Sequence, residues 1–476
     1  MTEWQDEEAD AKDAAAGELR DRSAARAAVV TRLRGDGSSD AALAAFLDCF
    51  DRLAAGRTGL LDEAGLEPVG DLPDADGLHG DPGDALSRVL VVKLNGGLGT
   101  SMGLTGPKSL LQVKDGLTFL DLTARQVTAL RERTGVAVPL VLMNSFATRD
   151  RSLAALASHG HLSGPLEADF VQNRVPKLDA ATLAPVDWPA DESLTWAPPG
   201  HGHFFPALAG SGMLNAARAA GYRWAFVSNV DNLGAVLDPA ILAYVARAEL
   251  PFVMEVADRT AADRKGGHLA RRVGDGALVL REIAQTPDAD RDAFADTRRY
   301  RYFNTNSLWL DLDAVARLLE ERGALGLPMI VNRKTVDPAD PSSTPVLQLE
   351  TAMGAAIGVI PGAGALRVPR SRFLPVKTTG DLLGLRSDAY VLLRDGEVRL
   401  AAGRVTAPRV TLSASYALLG DFDGHFPAGP PSLLGADSLT VRGSVTFAAD
   451  VAVRGEVTVD EATTGATVPA GTVLDG

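Results

Sequence analysis

The chain has 476 residues, 46% of them hydrophobic and 23% charged, with a formal net charge of −14 at pH 7. That length exceeds one hydrophobic core and calls for two or three domains, and the lack of an apolar run of about 18 residues excludes a membrane-spanning helix. The acidic balance argues against a broad nucleic-acid footprint, although local basic groups remain able to bind anionic metabolites inside a cleft.

The N-terminus, MTEWQDEEAD, is acidic and resembles neither a signal nor a transit peptide, so a cytoplasmic location is expected. Residues 1–65 are rich in Ala, Asp, Glu, Leu and Arg and read as helices, one of them starting after the cap signal Ser38-Ser39-Asp40. Cys49 is the only cysteine, which excludes an intramolecular disulfide framework and a cysteine-built metal site. Its setting, AALAAFLDCF, predicts a buried helical thiol. The segment 67–84, crowded with Gly, Pro and Asp, is a connector that opens on a catalytic domain spanning 88–387.

The stretch RVLVVKLNGGLGTSMGLTGPKSLLQ, residues 88–112, organises that domain. Val89 to Leu94 is apolar apart from Lys93, as fits a strand buried on both faces of a parallel sheet. The chain then breaks into Gly96, Gly97, Gly99, Gly103 and Gly106, where a backbone free to take positive φ brings N–H groups close to a polyphosphate, and Lys108 supplies a point charge. GLGTSMG is one residue too long for GxGxxG, and Pro107 stands where a Walker A loop requires glycine. The alternative is a mobile surface loop, but such loops rarely follow a buried strand and close on Pro-Lys.

Onward to about Ser387, strand-like runs alternate with amphipathic helical segments, the pattern of a mostly parallel sheet covered on both faces. A helix places Leu120, Ala124, Val127 and Leu130 on one face and stops near Gly135; strands follow at Leu140–Met143, Trp224–Val227, Phe252–Val256 and Leu308–Leu310. Ligands of such sheets bind beyond the carboxyl ends of the strands.

Further stretches look chemical. In WAPPGHGHFF, glycines and prolines hold His201 in a constrained loop suited to an anion, the alternative being a structural histidine. In SNVDN, Asp231 stands at a strand end, where a carboxylate holds Mg²⁺ against phosphates or closes an Asx-turn. In YRYFNTNSLWL, Asn304 and Asn306 are two apart and point the same way along a strand, as sugar hydroxyls would want. In RFLPVKTTGDLL, Lys377 lies between a Pro-fixed segment and a helix cap signal, either as a second phosphate lysine or as a solvated one.

From Asp388 the composition shifts to Val, Thr, Ala and Gly. Leu439, Val445, Val451 and Val457 form one apolar series at a spacing of six, and Val441, Phe447, Val453 and Val459 a second. Hexapeptide spacing marks a β-helix, with ordinary hairpins as the alternative. Removing 388–476 is expected to leave the loop and Lys377 intact and chiefly to alter assembly and stability.

The motifs KLNGGLGTSMGLTGPKSLL, VLMNSF, WAPPGHG, FVSNVDNLGA, FVMEV with KGGHL, EIAQ, FNTNSLWL, IVNRKT, LQLETAMGAAIG and VPRSRFLPVKTTGDLL resemble, in order, those of the UDP-glucose pyrophosphorylases of eukaryotic type. The resemblance implies an α/β, glycosyltransferase-A-like (Rossmann-like) nucleotidyltransferase domain with a C-terminal β-helix at 388–476, which family members use for self-association. It implies UTP and glucose 1-phosphate as substrates, Mg²⁺ as cofactor, and neither nucleic-acid nor membrane partners. By matching position, Leu94, Asn95, Gly96 and Gly97 line the nucleotide site, Lys108 holds the departing phosphates, and Met143 and Gln172 meet the uracil. Gly200 and His201 fall at nucleotide and sugar-phosphate contacts, Asn229 and Asp231 at the sugar and the metal, Glu282, Asn304 and Asn306 at sugar hydroxyls, and Lys377 between both phosphates. The departures are Leu104 and Thr105 for a Cys-Lys pair, His203 for an aspartate, and Ser307 for the second asparagine of a pair. Activity is expected to survive the first, while sugar or pyrophosphate handling could differ through the second. Two rivals stand beside the glucose enzyme: the same reaction on N-acetylglucosamine or galactose 1-phosphate, and a nucleotide-sugar-binding regulator without catalysis, which would require loss of Lys108, Asp231 or Lys377.

Overall fold

The computed structural model describes residues 21–476, so the acidic segment 1–10, and the targeting expectation drawn from it, lie outside the described residues. Among those described, no helix is long and apolar enough to cross a membrane. The fold is mixed α/β. The chain packs as two compact units, the first formed by residues up to 75 with 170–224 and 247–367, the second by 76–169, 225–246 and 368–476. Packing between distant segments, rather than chain order, delimits the units, so the linear division at 87/88 and 387/388 does not coincide with them.

In the first unit, the helix Asp40–Ala54 starts where Ser39 Oγ accepts the Ala42 N–H at 3.2 Å, as the cap signal predicts. Its apolar face, Leu43, Phe46, Cys49 and Phe50, packs with Val29 and Leu33 against Val175, Leu178, Met329, Leu347 and Leu349. Cys49 is buried there, and desolvation pushes its thiol up to about 11. The strand Met329–Thr335 runs antiparallel to Pro345–Thr351, which pairs in turn with Leu178–Asp179. Elsewhere in the unit Phe252–Asp258 lies between Tyr302–Asp311, antiparallel, and Gly364–Arg367, parallel. Trp309 within this group is fully buried and donates its indole N–H to Glu255 Oε1 at 2.9 Å, which satisfies a carboxylate with no solvent exposure.

In the second unit, Val89–Asn95 is buried at every position and runs parallel to Leu140–Asn144, in the register Leu94↔Met143 and Asn95↔Asn144. Lys93, the one charge in that strand, is 2% exposed and donates to Ser228 Oγ at 2.8 Å and to the Ala235 carbonyl at 2.7 Å. Those bonds are what make an ammonium tolerable inside a sheet. The helix Phe119–Thr134 opens on a capping box between Thr118 and Asp121 and closes on Gly135 at φ +69°, the predicted stop. Leu120, Ala124, Val127 and Leu130 are all buried, and truncating one such leucine to alanine costs about 2–5 kcal/mol.

The C-terminal strands Arg409–Leu412, Ser432–Val441, Ala452–Val459 and Val473–Asp475 pair parallel, with Leu439 opposite Val457 and Val441 opposite Val459. Thr446–Phe447 and Thr467–Val468 form a second parallel pair. Parallel pairing rules out hairpins, whose strands are antiparallel. Both six-residue series are buried, and they share one core with Met102, Leu111, Phe119, Leu122 and Leu382. Tyr416 fastens the stack: its hydroxyl donates to the Val445 carbonyl at 2.6 Å and accepts the Val445 N–H at 2.9 Å. The expectation that removing 388–476 leaves the glycine loop intact runs against the packing, because Met102 of that loop shares a core with the C-terminal strands, whereas the expected effect on stability agrees with it.

Candidate active site

The candidate residues fall into two groups, one in each unit. In the second unit the strand Val89–Asn95 ends and the glycine loop begins. Gly99 and Gly103 sit at φ +64° and +72°, a region that costs a side chain roughly 1–2 kcal/mol, so these two glycines are required by the backbone itself. The loop closes when the Lys108 N–H donates to the Gly97 carbonyl at 3.0 Å, which starts the helical turn Lys108–Leu110. At the end of the strand Trp224–Asn229, the Val230 N–H donates to the Leu94 carbonyl at 3.1 Å and sets the next residue, Asp231, beside the loop. Lys108 Nζ and Asp231 Oδ2 then meet at 2.5 Å, with side chains 15% and 20% exposed. The sequence placed a cation and a carboxylate separately; the fold brings them into one ion pair.

Asn95 is 1% exposed and turned inward, donating to Asn144 Oδ1 and Ser152 Oγ at 2.7 Å each. It braces the two strand ends, so its amide N–H groups are committed inside the protein. Asn144 relays the brace to Asp169 at 3.0 Å, and Arg149 closes it on the same carboxylate at 2.9 Å. Met143, the implied uracil contact, is buried at 1% exposure, and Asn229 is half-buried at its strand end. Lys377 is exposed immediately before the helix Thr379–Arg386, whose Thr378–Asp381 capping box also takes the Lys377 N–H, so the cap signal is real and orients the lysine's backbone. Sequence reasoning missed Asn232. This buried amide donates to the Arg372 carbonyl at 3.2 Å and accepts the Leu374 N–H at 2.8 Å, tying the Asp231 turn to the segment leading into Lys377. Its position directly after Asp231 was the available signal.

In the first unit, Gln172 donates to the Gly200 carbonyl at 3.2 Å. Gly200 has φ +76°, and a Cβ there would stand 2.5 Å from the Thr351 carbonyl oxygen, so no other residue fits without moving backbone. His201 Nδ1 accepts the Met353 N–H at 3.0 Å, which puts the proton of the neutral ring on Nε2. Burial lowers its pKa to about 4, so the ring acts as a neutral donor rather than a cation. On the other side of Met353, a Cβ on Gly354 would lie 2.7 Å from Asn304 Nδ2. The Asn304 N–H donates to the Gly267 carbonyl at 3.1 Å, and a Cβ on Gly267 would lie 2.5 Å from the Glu282 carboxylate. Glu282 itself caps the turn Ile283–Gln285. The fold thus draws Gln172, Gly200, His201, Asn304, Asn306 and Glu282, scattered in sequence, into one chain of close neighbours.

Asn304 and Asn306 do share a side, but not through simple alternation. Asn304 Nδ2 donates to Asn306 Oδ1 at 2.8 Å and the Asn306 N–H donates to Asn304 Oδ1 at 2.9 Å, with Asn306 in the left-handed region at φ +59°. The pairing with Phe252–Asp258 shifts here, from Ser307↔Glu255 to Asn304↔Val256, so this is a bulge, which re-aims side chains locally.

The departures have structural reasons. Leu104 packs against the core of the second unit, and Thr105 is exposed. His203 lines an apolar cavity of about 540 Å³, counted out to its mouth, together with Phe46, Cys49, Phe205 and Leu325. Neither ring nitrogen has a partner among the described residues, and burial lowers its pKa to about 4. It is a packing residue here. Ser307 is fully buried on the Glu255 side of the bulge.

No cluster of three or more metal-ligating side chains occurs among the described residues. Asp231 offers one partly exposed carboxylate beside a glycine loop, the donor set that suits a divalent ion held mainly by the phosphates of a ligand, as Mg²⁺ usually is.

Three comparisons bear on identity. A family model described as UTP–glucose-1-phosphate uridylyltransferase matches residues 45–454. The UTP–glucose-1-phosphate uridylyltransferase of Solanum tuberosum is 43% identical over 377 residues, covering 79% of this chain and 77% of that protein. That of Saccharomyces cerevisiae is 43% identical over 374 residues, 78% of this chain and 74% of its own length. A crystal structure of a single-residue variant of Leishmania major UDP-glucose pyrophosphorylase, in complex with UDP-glucose, superposes with a TM-score of 0.90 at 41% identity, over 95% of this chain and 98% of that one.

Proposed function

The chain belongs to the UTP–glucose-1-phosphate uridylyltransferase family, and on that premise we propose that it joins UTP to glucose 1-phosphate, reversibly giving UDP-glucose and pyrophosphate. A phosphate oxygen of the sugar attacks the α-phosphorus of UTP, a bond forms there, and the bond to the β-phosphate oxygen breaks as pyrophosphate leaves. Two anions must be joined, so positioning and neutralisation matter more than proton transfer.

The observation that carries this reading is the Lys108–Asp231 pair at the mouth of the glycine loop. Lys108 neutralises the departing phosphates, and the loop's N–H groups at Gly96 and Gly97 add preorganised dipoles. Lys377 takes charge on both phosphates, and Mg²⁺, when bound by Asp231 and the substrate phosphates, supplies a further positive charge. Met143 and Gln172 meet the uracil, the latter as an amide that both donates and accepts. Gly200 and neutral His201 contact nucleotide and sugar phosphate, while Asn229, Glu282, Asn304 and Asn306 hold sugar hydroxyls. We read the parallel C-terminal strands as coils of a small β-helix whose open edges are the surface for pairing with a second copy.

The test is incubation of the chain with UTP, Mg²⁺ and, separately, glucose, galactose and N-acetylglucosamine 1-phosphates, followed by pyrophosphate release and identification of the product. UDP-glucose formed fastest is the expected result; a preference for another sugar would move the substrate assignment, and no product from any would leave a binding protein.

A further inference from the structure

We propose that Thr305 is the positioning residue for sugar recognition: its buried hydroxyl pins the strand bulge that holds Asn304 and Asn306 in their working arrangement. The inference rests on the reading that those two asparagines hold the sugar.

The strand Tyr302–Asp311 carries two residues, Thr305 and Asn306, that have no opposite number on Phe252–Asp258. The irregularity places Asn306 at φ +59°, a left-handed conformation that asparagine tolerates better than other non-glycine residues, so hydrogen bonds around the bulge rather than backbone preference alone fix its shape. The Asn304–Asn306 amide ring supplies part of that support but lies on the side that would meet a ligand. The rest comes from behind. Thr305 is 2% exposed, and its Oγ1 donates to the Glu255 carbonyl at 2.8 Å while accepting the Ser307 N–H at 3.3 Å. One hydroxyl therefore bridges the two strands across the bulge. It bonds both to the residue after Asn306 and to the last partner before the register shifts. Glu255 is itself fixed, because its carboxylate accepts the buried Trp309 indole N–H. Thr305 is buried with its hydroxyl committed to two backbone partners, while the asparagines on either side of it are partly exposed, so its effect on a sugar would run through them.

Thr305→Val keeps the shape and removes both bonds. With the bridge gone, the KM for glucose 1-phosphate is expected to rise about 10-fold, in line with the loss of one positioned contact, while the KM for UTP stays within about 2-fold. The preference for glucose over galactose 1-phosphate should narrow by a similar factor, and Thr305→Ser, which restores the hydroxyl, should recover both. Loss of thermal stability with equal change in the two KM values, or a serine variant no better than valine, would make Thr305 merely structural and overturn the proposal. Asn306→Ala separates the layers. If it raises the glucose 1-phosphate KM and Thr305→Val does not, the positioning role is wrong; if neither affects that KM, the sugar assignment of the asparagines fails and the proposal falls with it.

Discussion

Lys108 Nζ lies 2.5 Å from Asp231 Oδ2, so the loop's only cation and the strand-end carboxylate neutralise each other before any substrate arrives. Binding a polyphosphate offers Lys108 a second anion, and binding a divalent ion offers Asp231 a second cation. The pair thus holds both groups in place at little conformational cost.

Replacing Lys108 with alanine removes a preorganised charge and leaves Asp231 without its partner. Turnover is expected to fall on the order of 100-fold or more, the usual loss for a positioned transition-state contact. Steady-state rates beside a melting curve decide it. An unchanged kcat in a folded variant would end the assignment of Lys108.

Asp231→Asn preserves size and keeps an oxygen near Lys108 but abolishes the negative charge. The Mg²⁺ concentration for half-maximal rate should rise, and turnover should drop by about 100-fold, because a neutral amide cannot neutralise the ion. A Mg²⁺ titration superimposable on the parent's would mean that substrate phosphates alone hold the metal.

Gly200→Ala places a methyl 2.5 Å from the Thr351 carbonyl oxygen at a φ of +76°. A loss of about 2 kcal/mol or more in stability is expected from strain and contact together. Displacement of the Gly200 carbonyl also disturbs Gln172, so the KM for UTP should rise as well. Wild-type denaturation midpoints in this variant would contradict the local geometry.

His203 carries a pH prediction. Its folded pKa is lowered to about 4 by burial, against an ordinary 6.5. Between those values the unfolded chain binds a proton that the folded chain rejects, so the stability tied to this ring is present in full above about pH 6.5 and is lost as pH falls toward about 4. His201 follows the same course. Because both nitrogens of His203 lack partners among the described residues in an apolar cavity, His203→Leu should stabilise the fold by about 1 kcal/mol and flatten the melting temperature's decline from pH 6.5 to 4.5. A variant that melts lower than the parent at pH 7 would refute this.

Legibility in the sequence followed the range of the interaction. The strand from Val89, the helix stop at Gly135, the cap at Ser39 and the cap after Lys377 rest on neighbours a few residues apart, and each stands where local chemistry put it. What depends on distant segments was out of reach: the meeting of Lys108 with Asp231, the Asn232 tie, and the core that the C-terminal strands share with Met102. Asn304 and Asn306 lie between. Their spacing suggested one face, but strict alternation along a strand was the wrong mechanism, since the bulge is set by register against Phe252–Asp258. His203 read as a departure in the site and proved to be lining a cavity, a distinction that only side-chain direction makes.

The lone thiol at Cys49 has a practical consequence. With its pKa pushed up to about 11 by desolvation and its side chain buried, Cys49 is expected to react slowly with alkylating and disulfide reagents at pH 7. The native chain is therefore a slow-reacting background for site-specific chemistry. A cysteine introduced at an exposed position would take up a fluorophore or spin label much faster, so that brief labelling would spare Cys49 in the helix it helps to pack.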